Sequence, residues 1–231
     1  MNLQPLIVIP ARSGSKGIPD KNIKLLAGRP LIHHTIDVAR QLTDDEHIIF
    51  STDSEKYAMI ASESGLPVKY MRPAELATDT AGSREVILDA MRFADSAVIK
   101  YDCIILLQPT SPLRTVDDVT NALRLYSGEI DMVVSVTEAA SNPYYNCFEL
   151  DSSTGALKIS KGDGLYTRRQ DAPAAFEFNG AVYVINPESI KKMPLGKFPL
   201  RIPSVMPKER SIDLDSQLDW DIAELILSRT K

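Results

Sequence analysis

Short runs of consecutive apolar residues alternate along the chain with longer stretches in which apolar residues recur every three or four positions. The runs predict strands buried on both faces, and they cover residues 5–10, 47–51, 67–71, 103–107, 132–137 and 181–185. The periodic stretches predict helices that begin near residues 30, 54, 83 and 115. This alternation indicates an α/β fold built on a doubly wound, mostly parallel sheet.

The alternation stops between about residues 139 and 177, where turn clusters at 151–155 and 161–164 separate short segments. Such a pattern is typical of hairpins. We therefore predict an α/β domain of residues 1–138 and 178–231 with a small β arm inserted at 139–177. After residue 185 the chain is rich in proline and is predicted to be irregular, and a final helix is expected to bury the apolar stripe Leu218, Ile222, Leu225 and Ile226.

Composition narrows the class of protein. The 231 residues, 44% of them hydrophobic, can bury a full core, and 31 acidic against 26 basic residues give a net charge of −5. That sign argues against a nucleic-acid partner. Cys103 and Cys147 form no CxxC pair, so neither a disulfide framework nor a zinc site is indicated. With no membrane span and no cationic signal sequence in view, we expect a cytoplasmic protein.

The loop after the first strand has the composition of a polyphosphate-binding loop. Residues 10–22 contain the cations Arg12, Lys16 and Lys21 together with Gly14 and Gly17. Glycines let backbone amides turn around an anion, and the cations neutralise it. The loop is neither a Walker A sequence nor a GxGxxG fingerprint. A solvated turn is the alternative, but ligands of open α/β sheets bind beyond the carboxyl ends of strands, which is where this loop lies.

Two further loops carry polar groups. QPTSPLR, residues 108–114, follows an apolar strand, although its hydroxyls could merely shape the turn. Arg168, Arg169 and Gln170 offer planar donors suited to a carboxylate or to sugar hydroxyls. Asn179 and Gly180 are predicted to form a tight turn with a free amide.

Asp213 and Asp215 are predicted to hold a metal ion. If residues 211–215 are extended, the two carboxylates point to the same side, opposite Ile212 and Leu214. They would repel each other unless a hard cation lay between them, and Mg²⁺ takes one or two carboxylates plus substrate phosphates. Capping of the final helix is the alternative, and it accounts for Asp215 but not for Asp213.

Together, IPARSGSKGIPDKN, QPTSPLR, RRQD with its following NGAVY, and IDLDSQLDWDIAE resemble, in order and spacing, the CMP-sialic acid synthetases or acylneuraminate cytidylyltransferases. The resemblance spans nearly the whole chain. The related CMP-Kdo synthetases have a first loop of the pattern RYGSTRLPGK, which this sequence does not share. The resemblance implies a Rossmann-type fold like that of nucleotide-diphospho-sugar transferases. It also implies Mg²⁺-dependent transfer of a cytidylyl group from CTP to a nine-carbon α-keto acid sugar, with release of pyrophosphate.

The resemblance also implies roles for individual residues. The nucleotide-binding residues would be Ala11, Arg12, Ser15, Lys16, Lys21, Asn22, Arg72 and Ser83. The catalytic residues would be Arg12, Lys21, Asp213 and Asp215, and the sugar would meet Gln108, Arg169 and Gln170. The insertion at 139–177 would be a dimerisation arm through which each subunit of a homodimer helps to close its neighbour's site.

Alternatives remain open from the sequence. The acceptor could be legionaminic, pseudaminic or 3-deoxy-nonulosonic acid, and the donor could be another nucleoside triphosphate. A non-catalytic sensor of sugar nucleotides is a further alternative, although a sensor need not keep a pair of metal-binding carboxylates. In the catalytic interpretation, Asp213 or Asp215 would accept the proton of the attacking hydroxyl, directly or through water.

Overall fold

A computed structural model describes residues 3–15, 17–78 and 81–229. The strands are β1 (Pro5–Pro10), β2 (Leu25–Leu26), β3 (Arg29–Pro30), β4 (Ile48–Ser51), β5 (Cys103–Leu106), β6 (Met132–Glu138), β7 (Phe148–Leu150), β8 (Leu157–Ile159), β9 (Phe176–Ile185) and β10 (Arg201–Val205). The helices are α1 (Leu31–Arg40), α2 (Glu55–Glu63), α3 (Ser83–Ser96), α4 (Val116–Leu125), α5 (Pro187–Lys192) and α6 (Gln217–Arg229). None of these helices is long and apolar enough to cross a membrane.

Six strands form one sheet in the order β10-β6-β9-β5-β1-β4. β1 runs parallel to β4 and β5, and β10 runs parallel to β6. β9 is antiparallel to both of its neighbours, β5 and β6. The predicted mostly parallel α/β sheet is therefore confirmed. Because β9 runs opposite to β5 and β6, it begins at the end of the sheet where these two strands finish. The chain just before β9 therefore reaches the same end of the sheet as the loops after β1 and β5.

Helices cover both faces of the sheet. Ile7 and Ile9 of β1 belong to a buried cluster that includes residues of α1, α2 and α4, whereas Leu6 and Val8 belong to one with residues of α3 and α5. Successive side chains of a strand point to opposite faces, so an uninterrupted apolar run serves two cores. This is the arrangement that the apolar runs predict.

The predicted strand at 67–71 is wrong, because this segment joins no ladder. Its alternation has another cause: Val68 packs against one core cluster and Tyr70 is buried in the other. Pro67 has no amide hydrogen to donate to a neighbouring strand. Beyond the segment, the Arg72 amide donates to the Thr52 carbonyl at 2.7 Å, which ties the chain to the end of β4.

The passage after residue 185 is more regular than predicted. α5 begins with Pro187 in its first turn, where the missing amide hydrogen costs nothing, and the Asn186 side chain caps it by accepting from the Glu188 amide at 2.8 Å. β10 contains Pro203 but lies at the edge of the sheet, the place where a strand tolerates proline.

Only Ile226 of the stripe predicted for the final helix packs inward, where it is half-buried. Leu218, Ile222 and Leu225 are exposed, while Trp220 and Ala223 are buried. The reason is that α6 packs on a separate apolar cluster formed with Ile18, Leu26, Leu31, Leu113 and Leu214. The bulky indole of Trp220 fills that contact, and the helix therefore turns its other apolar side away.

Arg114 ties three parts of the fold together from a buried position. It is only 3% exposed, and it donates to the Ala181 carbonyl at 2.9 Å, to the Thr35 hydroxyl at 3.0 Å and to the Gln108 carbonyl. These acceptors belong to β9, α1 and the loop after β5. The arginine is thus a structural support for the loop that begins at Gln108.

We expect Arg114→Met to lower the free energy of unfolding by about 3 kcal/mol, because it removes the buried donor that satisfies these acceptors. Urea unfolding followed by circular dichroism would measure the change. Arg124→Met, at an exposed position of α4, is the matched control and should stay within about 0.5 kcal/mol of the parent. Equal stability of the two variants would contradict the supporting role.

Candidate active site

A cavity of about 400 Å³ opens where β1 and β5 end. Its walls bring together eight of the residues singled out from the sequence, which are Arg12, Ser15, Lys21, Asn22, Arg72, Ser83, Gln108 and Asp215. Ala11 is buried just behind the wall, at the end of β1. Lys16 lies outside the described residues.

Asp53 fixes the start of the first loop. Its carboxylate accepts from the Ser13 amide at 2.8 Å and from the Ser13 hydroxyl at 2.6 Å. Partial burial alone would raise the pKa of Asp53, but the bonds from Ser13, the Asp53 backbone amide and the charge of Arg72 together outweigh it and lower the pKa below its ordinary value. The Asn22 side chain adds a bond to the Arg12 carbonyl at 3.1 Å, so Asn22 supports the loop as well as lining the cavity.

Asp20 fixes the other end of the same loop. It has a left-handed backbone, with φ of 49°, and its carboxylate accepts from the Tyr57 hydroxyl at 3.0 Å and from Lys56 at 3.1 Å. Both donors belong to α2. Sequence reasoning missed Asp20 and Asp53, although the position of Asp53 at the carboxyl end of β4 was a signal that could have found it.

Arg72 brings a buried positive charge to the cavity wall. It is 5% exposed and donates to the Ser51 hydroxyl at 2.9 Å and to the Ser51 carbonyl at 2.7 Å. Burial lowers the pKa of Arg72, while Tyr70 and Asp53 act in the opposite direction. A cation in a site of low polarity interacts strongly with an anion that enters it, so Arg72 is suited to a phosphate or to the carbonyl of a base.

The first loop touches the segment that carries the two aspartates. Lys21 donates to the Leu214 carbonyl, and its Nζ lies 3.5 Å from Oδ1 of Asp215. A Cβ added at Gly17 would lie 2.6 Å from the Asp215 carbonyl oxygen. Glycine is needed here because of this close approach, which brings the cationic loop and Asp215 to one cavity, while Asp213 is not among the residues that line it.

Asp213 and Asp215 differ in their surroundings. Oδ1 of Asp213 is buried and has no hydrogen-bond partner in the described structure, whereas the side chain of Asp215 is 81% exposed. Burial raises the pKa of Asp213 and the charge of Asp215 adds to the increase, while a hydrogen bond from Thr110 opposes it. Ile212 and Leu214 pack in the cluster beneath α6, as the predicted alternation requires.

The aspartates fit a magnesium ion that draws most of its ligands from elsewhere. Over the described ranges, no group of three or more His, Cys, Asp or Glu side chains could cage a metal. A buried carboxylate oxygen without a partner, next to a second, exposed carboxylate, supplies the one or two protein ligands that Mg²⁺ uses beside substrate phosphates. The donor set therefore suits Mg²⁺ and not a structural zinc ion.

The predicted tight turn at Asn179 and Gly180 is wrong, as is its free amide. The two residues form an irregularity inside β9, where the pairing with β6 shifts between Val134 and Val136. The side-chain amide of Asn179 donates to the Ser211 hydroxyl at 2.9 Å. Gly180 has φ of 73°, and a Cβ there would lie 3.3 Å from Oδ2 of Asp213. The irregularity thus supports the aspartate segment.

Arg169 and Gln170 do not line the cavity of the single chain. Arg169 donates to the carbonyls of Ala139 and Ala140 and lies 3.3 Å from the carboxylate of Glu138. Gln170 is exposed. Both residues therefore lie at the base of the inserted segment, near the end of β6.

A second cavity of about 380 Å³ adjoins the first and shares Ser83, Leu106 and Gln108 with it. Its other walls are largely apolar and include Met132, Phe178, Tyr183, Pro194 and Leu195. The rings of Phe178 and Tyr183 meet edge to face at 6.2 Å. Sequence reasoning missed these walls, because Met132, Phe178 and Tyr183 belong to the ordinary apolar pattern of β6 and β9. Pro194 and Leu195 lie in the passage after α5, which was expected to be irregular.

The sequence matches the family described as Cytidylyltransferase over residues 6–222. The chain belongs to this family. It is 34% identical to the CMP-N,N'-diacetyllegionaminic acid synthase of Legionella pneumophila over 96% of this chain and 95% of that protein. It is 38% identical to the N-acylneuraminate cytidylyltransferase of Streptococcus agalactiae over 94% of this chain and 52% of that protein, so it spans about half of that relative.

The cytidylyltransferase also shares its fold with a solved CMP:2-keto-3-deoxy-manno-octonic acid synthetase. The TM-score is 0.70 at 17% identity, over 99% of this chain and 100% of that one. The family match and these relatives confirm the resemblance to the acylneuraminate cytidylyltransferases. The protein is therefore a nucleotidyltransferase, with the Rossmann-type architecture expected from the sequence.

We expect Gly17→Ala to lower kcat/KM for CTP by about tenfold to 100-fold, because the added methyl group forces the first loop away from the Asp215 carbonyl. Initial rates of pyrophosphate release would measure the loss. Gly128→Ala is the matched control, since a Cβ there has nothing within 4 Å. An unchanged kcat/KM in Gly17→Ala would show that the close contact is unimportant.

Proposed function

We propose that this cytidylyltransferase joins CMP from CTP to the anomeric hydroxyl of a nonulosonic acid and releases pyrophosphate, with Mg²⁺ required. One observation carries the proposal: a single cavity combines Arg12, Lys21 and the buried Arg72 with the exposed carboxylate of Asp215. Cations and a metal-binding carboxylate in the same cavity are what the transfer of a phosphoryl group needs. The solved structure with the same fold was determined in complex with CTP.

The chain's own residues would act mainly by positioning. In-line attack at phosphorus spreads negative charge over several oxygens, so the protein gains most by fixing the triphosphate and neutralising that charge. Arg12 and Lys21 would hold the phosphates, and Arg72 and Ser83 would hold the nucleoside from the opposite wall. Gln108, which lies between the two cavities, would orient the sugar toward the phosphorus atom.

Asp213 and Asp215 would hold the Mg²⁺ ion. When bound there, Mg²⁺ would add positive charge at the phosphate oxygens and lower the pKa of the attacking hydroxyl. One of the two carboxylates would accept the proton of that hydroxyl, directly or through water.

The second cavity is the place that we propose for the substituents of the sugar. Its apolar walls suit acyl and deoxy groups better than free hydroxyls. The streptococcal relative is named for N-acylneuraminate, which supports a sialic-type acceptor. The full-length similarity to the Legionella enzyme favours a diacetylated legionaminic acid as the second candidate.

Pyrophosphate release tests this function. With CTP and Mg²⁺, we expect release with at least one member of a panel of sialic, legionaminic, pseudaminic and 3-deoxy-nonulosonic acids, and no release after addition of EDTA. Replacing CTP by GTP should lower the rate by more than about tenfold. CTP binding without release with any acid would instead indicate a sensor of sugar nucleotides.

The metal site has its own control within that assay. Asp213→Asn and Asp215→Asn should lower kcat by about 100-fold or more, while Asp221→Asn, exposed on α6, should leave it unchanged. If both site variants stay within about threefold of the parent, a difference of about 0.6 kcal/mol, the carboxylates do not hold a metal.

The inserted segment is proposed to make the enzyme a homodimer. β7 and β8 form a separate two-stranded sheet, and the segment and the start of β9 expose the large apolar side chains Phe148, Leu150, Leu157, Leu165, Phe176 and Phe178. A second copy of the chain could bury them and bring Arg169 and Gln170 toward a sugar site.

We also place the enzyme in the cytoplasm, where CTP is made and where its unpaired cysteines would stay reduced.

We expect the parent to have twice the 25.5 kDa mass of one chain and Leu157→Glu to be a monomer, because the charge would be buried in the interface. Light scattering after size exclusion would measure both masses. Leu218→Glu changes a comparably exposed leucine on α6, with 67% exposure against 70% for Leu157, and should remain a dimer. A monomeric parent would refute the proposed dimer.

A further inference from the structure

A paired arginine and aspartate hold the aspartate segment to α4. Arg210 Nε donates to Oδ2 of Asp118 at 2.9 Å, and a second guanidinium nitrogen donates to Oδ1 at 2.8 Å. The Asp118 side chain is only 4% exposed, against 37% for Arg210. Two parallel bonds from a planar guanidinium fix both direction and distance, so this pair fixes where residue 210 lies.

Asp118 is itself fixed by the helix that carries it. Its carboxylate accepts from the amide and from the hydroxyl of Thr115, each at 2.9 Å, in a capping box at the start of α4. α4 follows directly on the loop that begins at Gln108, and that loop lines both cavities. Arg210 therefore connects the aspartate segment to a wall of the active site.

The carboxylate of Asp213 depends on its backbone for its placement. Within the described residues Oδ1 has no hydrogen-bond partner, so the side chain, which accepts from Thr110, is not held from every direction. The backbone is held on one side by the pair at Arg210, together with the bond from the Asn179 side chain to the Ser211 hydroxyl. On the other side it is held by the Leu214 amide, which donates to the Thr110 carbonyl at 2.8 Å. Asp213 lies three residues after Arg210 and one before Leu214, between these two attachments.

We propose that Arg210 is a positioning residue, which acts through Asp118 to hold Asp213 and Asp215 where they bind the metal ion. The inference rests on the proposed function, in which these two carboxylates hold Mg²⁺. Arg210 touches neither substrate nor metal in this scheme. Its effect is to keep the segment of residues 210–215 in a fixed position against α4, beside the loop that begins at Gln108.

The test compares Arg210→Gln, Arg210→Lys and Asp118→Asn with the parent. In Arg210→Gln we expect kcat to fall by about 30-fold. The KM for CTP should stay within about twofold of the parent, because the substitution leaves the loop that carries Arg12 and Lys21 unchanged. The Mg²⁺ concentration for half-maximal rate should rise by about tenfold. Arg210→Lys keeps the charge but loses the paired geometry, so it should restore only part of kcat.

A direct measurement of metal binding separates positioning from a general loss of activity. Electron paramagnetic resonance of Mn²⁺ in the presence of CTP should show about tenfold weaker binding in Arg210→Gln than in the parent. Lys208→Gln, an exposed cation in the same short turn, is the matched control and should bind Mn²⁺ as the parent does. The fluorescence of Trp220, the one tryptophan of the chain and packed in the cluster of Leu214, checks that the segment is still folded.

The double variant Arg210→Gln with Asp118→Asn shows whether the two residues act as a pair. If they do, its loss of Mn²⁺ affinity should be no greater than that of the more damaged single variant. Unchanged Mn²⁺ binding and Mg²⁺ dependence in both Arg210 variants, while Asp213→Asn loses both, would overturn the inference and leave the proposed function standing. Unchanged Mn²⁺ binding in Asp213→Asn would overturn the metal site itself, and the inference with it.

Discussion

The close approach of Gly17 to the backbone of Asp215 is the contact on which the site depends. It joins a cationic loop near the start of the chain to a carboxylate segment almost two hundred positions later. Lys21 reinforces the contact by donating to the Leu214 carbonyl and approaching Asp215. Without this junction, the two loops that carry the opposite charges would not meet at one cavity.

The reversed direction of β9 has a second structural effect. In an all-parallel sheet, the inserted segment would leave from the edge that carries the active site and return at the opposite edge. Here β6 ends and β9 begins at the same edge, so both connections of the insertion lie at the mouth of the site. This arrangement places Arg169 beside the end of β6.

The sequence was most informative where a pattern has one local cause. Apolar runs identified the central strands, and the position of loops after those strands identified a site edge that collects Arg12, Lys21, Gln108 and Asp215. The pattern failed at residues 67–71, because an extended segment buried on two sides has the same apolar pattern whether or not it pairs with a neighbouring strand. It also failed on α6, because a helix with two apolar sides does not reveal which side packs. The pair of Arg210 with Asp118 joins residues 92 positions apart, and periodicity carries no information on such pairs.

The capture of Ser13 by Asp53 has a consequence for binding energetics. The amide and the hydroxyl of Ser13 already have partners before any nucleotide enters. Asp20 holds the far end of the loop through its bonds with α2. A loop whose two ends are held in advance loses less conformational entropy when it binds phosphates. More of the binding free energy of the triphosphate can then stabilise the transition state relative to the ground state. Only this differential stabilisation increases kcat.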